Sequence, residues 1–403
     1  MTIGTAFHER TAPLNRKMQW REWSGYFASS VYADAHDIEY AAIREAAALI
    51  DVSPLYKYRV SGPDAERLVD RVIVRDATKL KVGQVYYTCW CDEQGKVVDD
   101  GTVHRLAADE FRWTAADPQY RWLALNSANL DVTIEDTTGS TAALALQGPL
   151  SRAVLEAATG ESFRDLRYFR RRPATVKAGR RRIAIDVSRT GYTGDLGYEL
   201  WVDAERATEL WDAIAQAGEP FRIRPAGMLA LDIVRLEAGL ILLEVDYTSA
   251  RHALTADQAY SPFEVGLGRL VRFEKADFVG RRALAAEQEA GGPPRRLVGL
   301  ALDWDGIERR FAEQGLPPAI SPVVDRTSVP VFAAGRGGRQ VGRVTSHGWS
   351  PILKAAVALA SVPPAYEPLG TRVDVEWTVE GRRGRVAATV VELPFLDLER
   401  KRA

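Results

Sequence analysis

Ser188-Arg189-Thr190-Gly191-Tyr192-Thr193-Gly194-Asp195-Leu196-Gly197-Tyr198-Glu199-Leu200 is the stretch from which the reading of this chain starts. Three glycines in seven positions make a tight loop, one that lets backbone approach a flat ligand. Tyr192 and Tyr198 offer aromatic faces, and Glu199 lies on the strand that follows. A carboxylate there can accept two parallel N–H bonds from a 2-amino-pyrimidinone edge, as it does from a guanidinium. A plain hairpin with Glu199 exposed is the competing reading of the same residues.

Outward from this loop the pattern predicts a mixture of helices and antiparallel strands. Arg182–Val187 and Tyr198–Val202 are predicted strands around the loop, with helices over Ala204–Ala217 and Gly227–Leu236. Upstream, Leu144–Leu146 reads as a short strand before Gly148-Pro149, which opens a helix over Leu150–Ala157. Ile38–Leu49 is rich in helix formers and stops before Asp51-Val52-Ser53-Pro54. Tyr56–Val60 alternates as a strand, and Ala65–Val74 reads as a helix. Val85–Trp90, Val97–Arg105 and Glu110–Ala115 form a predicted strand meander. Gly291-Gly292-Pro293-Pro294 breaks the pattern. The expected organisation is a region over 1–286, holding two interleaved α+β subdomains, and a second over 295–397. In the second, strands are predicted at Leu297–Ala301, Val329–Ala333, Gln340–Val344, Ala355–Leu359, Val373–Thr378 and Arg385–Val391, the pattern of a β-barrel or sandwich. The fold class is α+β.

The chain has 403 residues, of which 46% are hydrophobic and 27% charged, with a formal net charge of -1. That balance argues against a nucleic-acid partner. The Arg runs at Arg170–Arg172, Arg180–Arg182 and Arg382–Arg385 read as solvated faces. No stretch approaches the roughly 18–20 apolar residues of a membrane span, and Met1–Trp20 lacks a signal-peptide core, so the expected location is cytoplasmic. Cys89 and Cys91 are poorly placed for a disulfide and have only His104 near them in sequence. They read as two buried thiols, and no metal is expected. Gly335-Arg336-Gly337-Gly338 has no helix after it on which an anion could sit, so it reads as a hairpin turn. No G-x-G-x-x-G follows an N-terminal strand, so an intrinsic flavin or nicotinamide domain is not supported.

Two further segments bear on chemistry. Gly95-Lys96-Val97-Val98-Asp99-Asp100 puts adjacent carboxylates on opposite faces of a strand, so one can face a cavity while the other is solvated or capped. A simple strand-end acid pair is the alternative. In Asp232–Gly239, Arg235 and Glu237 either form local ion pairs or let Arg235 hold an anionic ligand tail.

The ordered set resembles the aminomethyltransferase (T-protein) of the glycine cleavage system and its relatives. The resemblance runs from Phe7 to about Asp397. It is carried by Asp51-Val52-Ser53, the Gly-x-Val-x-Asp-Asp strand, Gln147-Gly148-Pro149, the Thr190–Glu199 loop and Arg235-Leu236-Glu237-Ala238-Gly239. It continues through Ser261–Gly268, Asp277–Arg281, Gly342–Pro351 and Pro394-Phe395.

The resemblance implies a three-domain cloverleaf around a channel for tetrahydrofolate, with antiparallel sheets and a C-terminal β-barrel. It implies that Glu199 binds the pterin edge, with Tyr87 and Tyr192 lining the ring pocket. Arg235 and Arg382 or Arg383 would serve the folate or its glutamate tail. Asp99 matches the family's catalytic aspartate.

The chain also departs from the T-protein pattern. Ala116 takes the place of an Asn, and Ala230-Leu231-Asp232 replaces Ala-Arg-Asp. Ile223-Arg224-Pro225-Ala226-Gly227 looks more like the folate-dependent demethylase branch. Ten tryptophans, among them Trp20, Trp23, Trp113 and Trp122, suit either core packing or an aromatic pocket for a methylated substrate. Trp113, Ala116, His347 and Trp349 are the candidate donor-side residues.

The expected function is transfer of a methyl or methylene unit from a small methylated or aminomethyl donor to tetrahydrofolate, with a lipoyl-carrier protein as the lesser donor. A demethylase proper, yielding 5-methyltetrahydrofolate, and a non-catalytic folate-binding protein are the alternatives. Leu240–Tyr247 lacks the Cys of the non-catalytic branch. A folate-coupled amine oxidase subunit would require a flavin partner.

Overall fold

The computed structural model describes residues 1–335 and 337–402, so Arg336 of the Gly335–Gly338 turn lies outside the described residues. Two compact units emerge. The first comprises Met1–Trp90, Asp99–Leu231 and the segment from Leu398 onward; the second comprises Cys91–Val98 and Asp232–Asp397.

The first unit is built on two sheets. One has six strands in the order Arg171–Ala178, Arg181–Ser188, Gly197–Asp203, Thr141–Gln147, Ala48–Asp51 and Arg224–Pro225, antiparallel except for the last pair. Helices Ser151–Thr159 and Ala207–Gly218 cover one face. Leu144, Leu146, Ile183, Ile185, Val187 and Leu200 meet Val154, Leu155, Leu210 and Ile214 there as a dry core. Burying each of those branched side chains contributes roughly 1.5–3 kcal/mol. The other sheet orders Val85–Cys91, Val97–Ala107, Glu110–Ala115, Tyr56–Ser61 and Thr133–Asp136.

Two segments of this unit fold differently from how they read in the sequence. The predicted helix over Ile38–Leu49 ends at Glu45, and Ala48–Asp51 is a strand paired with Thr141–Gln147. Ladder pairing inside the sheet outweighs the helix preference of a short Ala-rich run. Arg171–Ala178 is a strand rather than part of a solvated Arg run. Its Ala174 and Val176 face the core, and Arg171 reaches Asp186.

The second unit contains a closed six-stranded barrel, in the order Arg296–Leu302, Ala355–Val362, Gln340–Ser350, Val329–Ala333, Arg372–Val379 and Arg382–Val391. Closure pairs the first strand with the last. Period-two alternation turns Val298, Leu300 and Leu302 inward, with Ala356, Ala358 and Ala360 opposite them across the strand pair. A helix the sequence reading missed, Trp304–Ala312, begins where the Asp303 side chain accepts from Gly306 N–H at 3.1 Å. Gly338 N–H donates to the Gly335 carbonyl, as a turn between neighbouring strands requires. Among the described residues, no helix is long and apolar enough to cross a membrane. Cys89 and Cys91 are buried thiols that form no disulfide with each other.

The last described residues return to the first unit. Arg400 makes a bidentate pair with Asp195 in the glycine-rich loop, 2.7 Å from Nε to Oδ1 and 2.8 Å from Nη2 to Oδ2. Arg44 donates to the same carboxylate at 3.3 Å and to the Thr193 carbonyl at 2.9 Å. This geometry predicts that Arg400→Met accelerates amide hydrogen exchange in residues 193–196 and leaves global melting nearly unchanged. Unaltered exchange there would mean that the strap does not order the loop.

Candidate active site

The glycine-rich loop is stapled from beneath by Gln147. Its Nε2 donates to the carbonyls of Thr190 and Tyr198 at 3.3 and 3.2 Å, and its Oε1 accepts from the Thr193 hydroxyl at 2.8 Å. A Cβ at Gly191 or Gly197 would fall 2.2 or 2.1 Å from Gln147 Oε1, so both positions require glycine. The Gln147-Gly148-Pro149 motif and the loop are thus one packing unit. Tyr198, read from sequence as an aromatic face for ligand, is fully buried instead, edge-on to Phe163.

Glu199 is half-buried on the strand leaving the loop. Its Oε2 accepts from the Thr190 hydroxyl at 2.5 Å, with the Ser188 hydroxyl oxygen 3.5 Å away. Ser188 Oγ lies 2.8 Å from Thr190 Oγ1 and accepts from Trp201 Nε1 at 3.1 Å. An indole can only donate and a carboxylate can only accept, so the chain runs Trp201 to Ser188 to Thr190 to Glu199. Among the described residues, Glu199 Oε1 takes no hydrogen bond. Burial pushes the Glu199 carboxyl up, while the Thr190 and Ser188 hydroxyls and the Arg112 charge pull it back.

Asp99 and Asp100 point to opposite faces, as strand alternation dictates. Asp99 is 0% exposed. Its Oδ2 accepts three N–H bonds: from Ala116 at 3.1 Å, Asp117 at 2.9 Å and the Gln119 side-chain amide at 3.1 Å. Its Oδ1 accepts from Asp100 N–H at 2.7 Å. Burial, followed by the Asp100 charge, pushes the Asp99 carboxyl well above the usual range, and the N–H groups of Asp117 and Asp100 oppose this. Asp100 is half-buried and accepts the Tyr87 hydroxyl at 2.7 Å. Burial and the Asp100 charge hold that phenol well above its ordinary value, and the Tyr192 hydroxyl is near enough to add to the effect.

A polar layer continues between the two sheets of this unit. Arg112 and Arg171 both engage Asp186, with closest contacts of 2.7 and 2.5 Å. The Arg112 guanidinium lies 4.8 Å from the centroid of the Trp201 ring. His104, on the same face of its strand as Asp100 and Thr102, is fully buried edge-on to Trp201, with Nε2 3.0 Å from Thr102 Oγ1. Burial drives its pKa well below 6.5, and the Arg112 and Arg171 charges add to the shift.

Tyr87, Tyr192, Glu199, Asp99 and Ala116 therefore all belong to the first unit. Ala116 reaches Asp99 through its backbone N–H. Trp113 is 0% exposed and packs edge-on to Trp90 at 4.8 Å, which makes it core.

The remaining candidates belong to the second unit. Arg235 is 1% exposed and committed to Asp232 at 2.9 Å and Asp246 at 2.7 Å, with Ser346 Oγ at 3.2 Å. This replaces the expected ligand contact with an internal framework pair. Arg382 and Arg383 sit exposed at the end of a hairpin, paired with Val379 and Thr378. His347 packs edge-on to Trp377, and burial lowers its pKa. Trp349 packs against Trp304 at 5.2 Å. Among the described residues, no three His, Cys, Asp or Glu side chains converge as a metal site.

Sequence reasoning missed Gln119, Arg112 and the Ser188–Thr190 hydroxyl chain. Asp117-Pro118 marks a turn, which was the available signal for Gln119; Arg112 carries none, because it reads as an ordinary exposed strand residue.

Comparison with known proteins gives a consistent result. A model of the GCVT N-terminal domain matches residues 5–275, and one of the glycine cleavage T-protein C-terminal barrel domain matches residues 295–397. The chain is 36% identical over 413 residues to a trimethylamine-oxide aldolase of Ruegeria pomeroyi, a match that takes in 100% of this chain and 48% of that protein. The chain thus spans about half the length of that relative. It is 38% identical over 370 residues to an aminomethyltransferase of Symbiobacterium thermophilum, covering 89% of this chain and 88% of the other. The solved structure of aminomethyltransferase T from Bartonella henselae superposes with a TM-score of 0.80 at 25% identity, covering 98% and 99% of the two chains.

His104 gives the pH prediction. Below pH 6.5 the unfolded chain binds a proton that the folded chain refuses, so stability falls as pH drops from 6.5 toward the depressed folded value. In His104→Gln that slope should be shallower by about 1.4 kcal/mol per pH unit in this window, measured by urea unfolding. Parallel slopes for the two proteins would show that His104 takes up a proton in the folded state.

Proposed function

The chain belongs to the glycine cleavage T-protein family, and from that membership and the geometry around Glu199 we propose that it binds tetrahydrofolate and passes a one-carbon unit to it. The carrying observation is Glu199. One of its oxygens is held by the Thr190 hydroxyl, and the other takes no hydrogen bond among the described residues. That donor-hungry oxygen suits the adjacent N–H groups of a pterin edge. When bound, tetrahydrofolate supplies the nucleophilic nitrogen that accepts the carbon.

The residues divide the work. Glu199 orients the ring, with Tyr87 and Tyr192 as its walls. Asp100 takes the proton released as the N–C bond forms, its Oδ2 already holding the Tyr87 hydroxyl. Asp99, inaccessible to contact, acts through its charge: a carboxylate excluded from water stabilises a cation developing nearby more strongly than a solvated one would. Arg235 holds the framework and does not touch the ligand.

For the donor, the match of this chain to about half of a trimethylamine-oxide aldolase favours carbon at the aldehyde level, derived from a small methylated amine. The product would then be methylene- rather than methyl-tetrahydrofolate. A lipoyl-carried aminomethyl group is the alternative donor, tested by adding the carrier protein.

Glu199→Gln should weaken tetrahydrofolate binding about 10- to 100-fold by calorimetric titration, the worth of a hydrogen bond to a charged group. No tetrahydrofolate binding by the unaltered protein would overturn the reading. Asp99→Asn can keep a carbonyl oxygen against its three N–H donors. It should retain binding within a few-fold and lose about 100-fold or more in turnover, followed by the mass of the folate product.

A further inference from the structure

Among the described residues, one side chain makes a charge-assisted bond to Asp99 within the unit's interior. Gln119 is 0% exposed, and its Nε2 lies 3.1 Å from Asp99 Oδ2. Its Oε1 accepts from Trp90 Nε1 at 3.2 Å, and its backbone N–H donates to the Tyr58 hydroxyl at 2.8 Å. The orientation of an amide is ordinarily ambiguous, because its oxygen and nitrogen are nearly interchangeable in shape. Here it is determined. The indole N–H of Trp90 can only donate, so the amide oxygen must face it, and the NH2 must then face Asp99. Trp90 is itself fixed edge-on against Trp113 at 4.8 Å.

We infer that Gln119 is a positioning residue: it holds the Asp99 carboxylate in its charged form and fixes Oδ2 as the saturated oxygen. With Oδ2 taking three N–H bonds and Oδ1 taking one, any proton that Asp99 binds goes to Oδ1. Position 116 offers Asp99 a backbone N–H alone, so Gln119 is the only side-chain amide among the described residues that donates to it. The ionisable groups facing Asp99 are Asp100 on its own strand and Asp117 on the turn; both charges favour protonation and leave Gln119 working against them. Tyr58, on the neighbouring strand, is reached through the Gln119 backbone.

The inference about the carboxylate stands without folate; only its consequence for turnover rests on the proposed function. The test is 13C NMR titration of the ligand-free, full-length protein labelled at aspartate carboxyls, with Asp99 identified as the resonance missing in Asp99→Asn. In Gln119→Leu the Asp99 midpoint should rise by about one to two pH units, the worth of one hydrogen bond to a charged group. Gln119→Glu keeps both the volume and the acceptor for Trp90, and it carries the test if the leucine variant does not fold. It should raise the midpoint further, because two carboxyl groups then share one proton. An Asp99 midpoint unmoved in whichever variant folds would reduce Gln119 to core packing and overturn the inference. In the turnover arm, the acid limb of the kcat profile should move up by the same amount, with the KM for tetrahydrofolate little changed. A shifted Asp99 midpoint in a protein that does not bind tetrahydrofolate would sustain the role of Gln119 and sink the folate reading alone.

Discussion

A buried indole N–H has one option, which is to donate. That constraint, met twice in the first unit, sets the direction of the polar chains that end on Glu199 and Asp99. Trp201 starts one through Ser188 and Thr190 to Glu199, and Trp90 starts the other through Gln119 to Asp99. Hydroxyl and amide groups between a fixed donor and a fixed acceptor have only one satisfied arrangement. Both acids are held in place by these donors, which oppose the upward push of burial on each carboxyl.

Around these chains, the space between the two sheets is polar where a core is normally dry. Asp186 lies between Arg112 and Arg171, and a buried carboxylate without such partners would be strongly destabilising. Replacing the cluster with aliphatic side chains would often be neutral for stability, so stability alone does not account for it. What it does supply is position: it ties the strand that carries Arg112 to the strand that carries Ser188 and thereby sets where Glu199 stands. Gln147 does the same from the other side, by filling the space that the missing side chains of Gly191 and Gly197 leave.

Much of this was legible in the sequence where a local rule governs. Three glycines announced a loop with close backbone approach, alternation separated Asp99 from Asp100, and six short strand-like runs announced a barrel or a sandwich, of which the family resemblance implied the barrel. The rest depended on partners far along the chain. Ala48–Asp51 has helix-forming composition and is a strand only because Thr141–Gln147 lies beside it. Arg235 looked like an anion ligand because nothing within a few residues hinted that Asp246 and Ser346 would enclose it. The tryptophans suited core packing or an aromatic pocket alike; Trp113 is packing, while Trp90 and Trp201 serve as hydrogen-bond sources, a role neither reading anticipated. Gln119 is invisible to any periodic pattern, since its role lies in the two partners between which its amide is strung.

The pairing of Arg400 with Asp195 joins residues 205 positions apart and bears on the order in which the protein can be made. Chains emerge from the ribosome N-terminus first, and domains tend to fold as they appear. Here the glycine-rich loop is complete only once the barrel has been synthesised and Arg400 has followed it out. Until then Asp195, buried in the finished protein, has Arg44 but not its bidentate partner. The nascent first unit therefore carries an unfinished loop throughout synthesis of the barrel, and its ordering is a late event, coupled to emergence of the segment that follows the barrel rather than to formation of its own sheets.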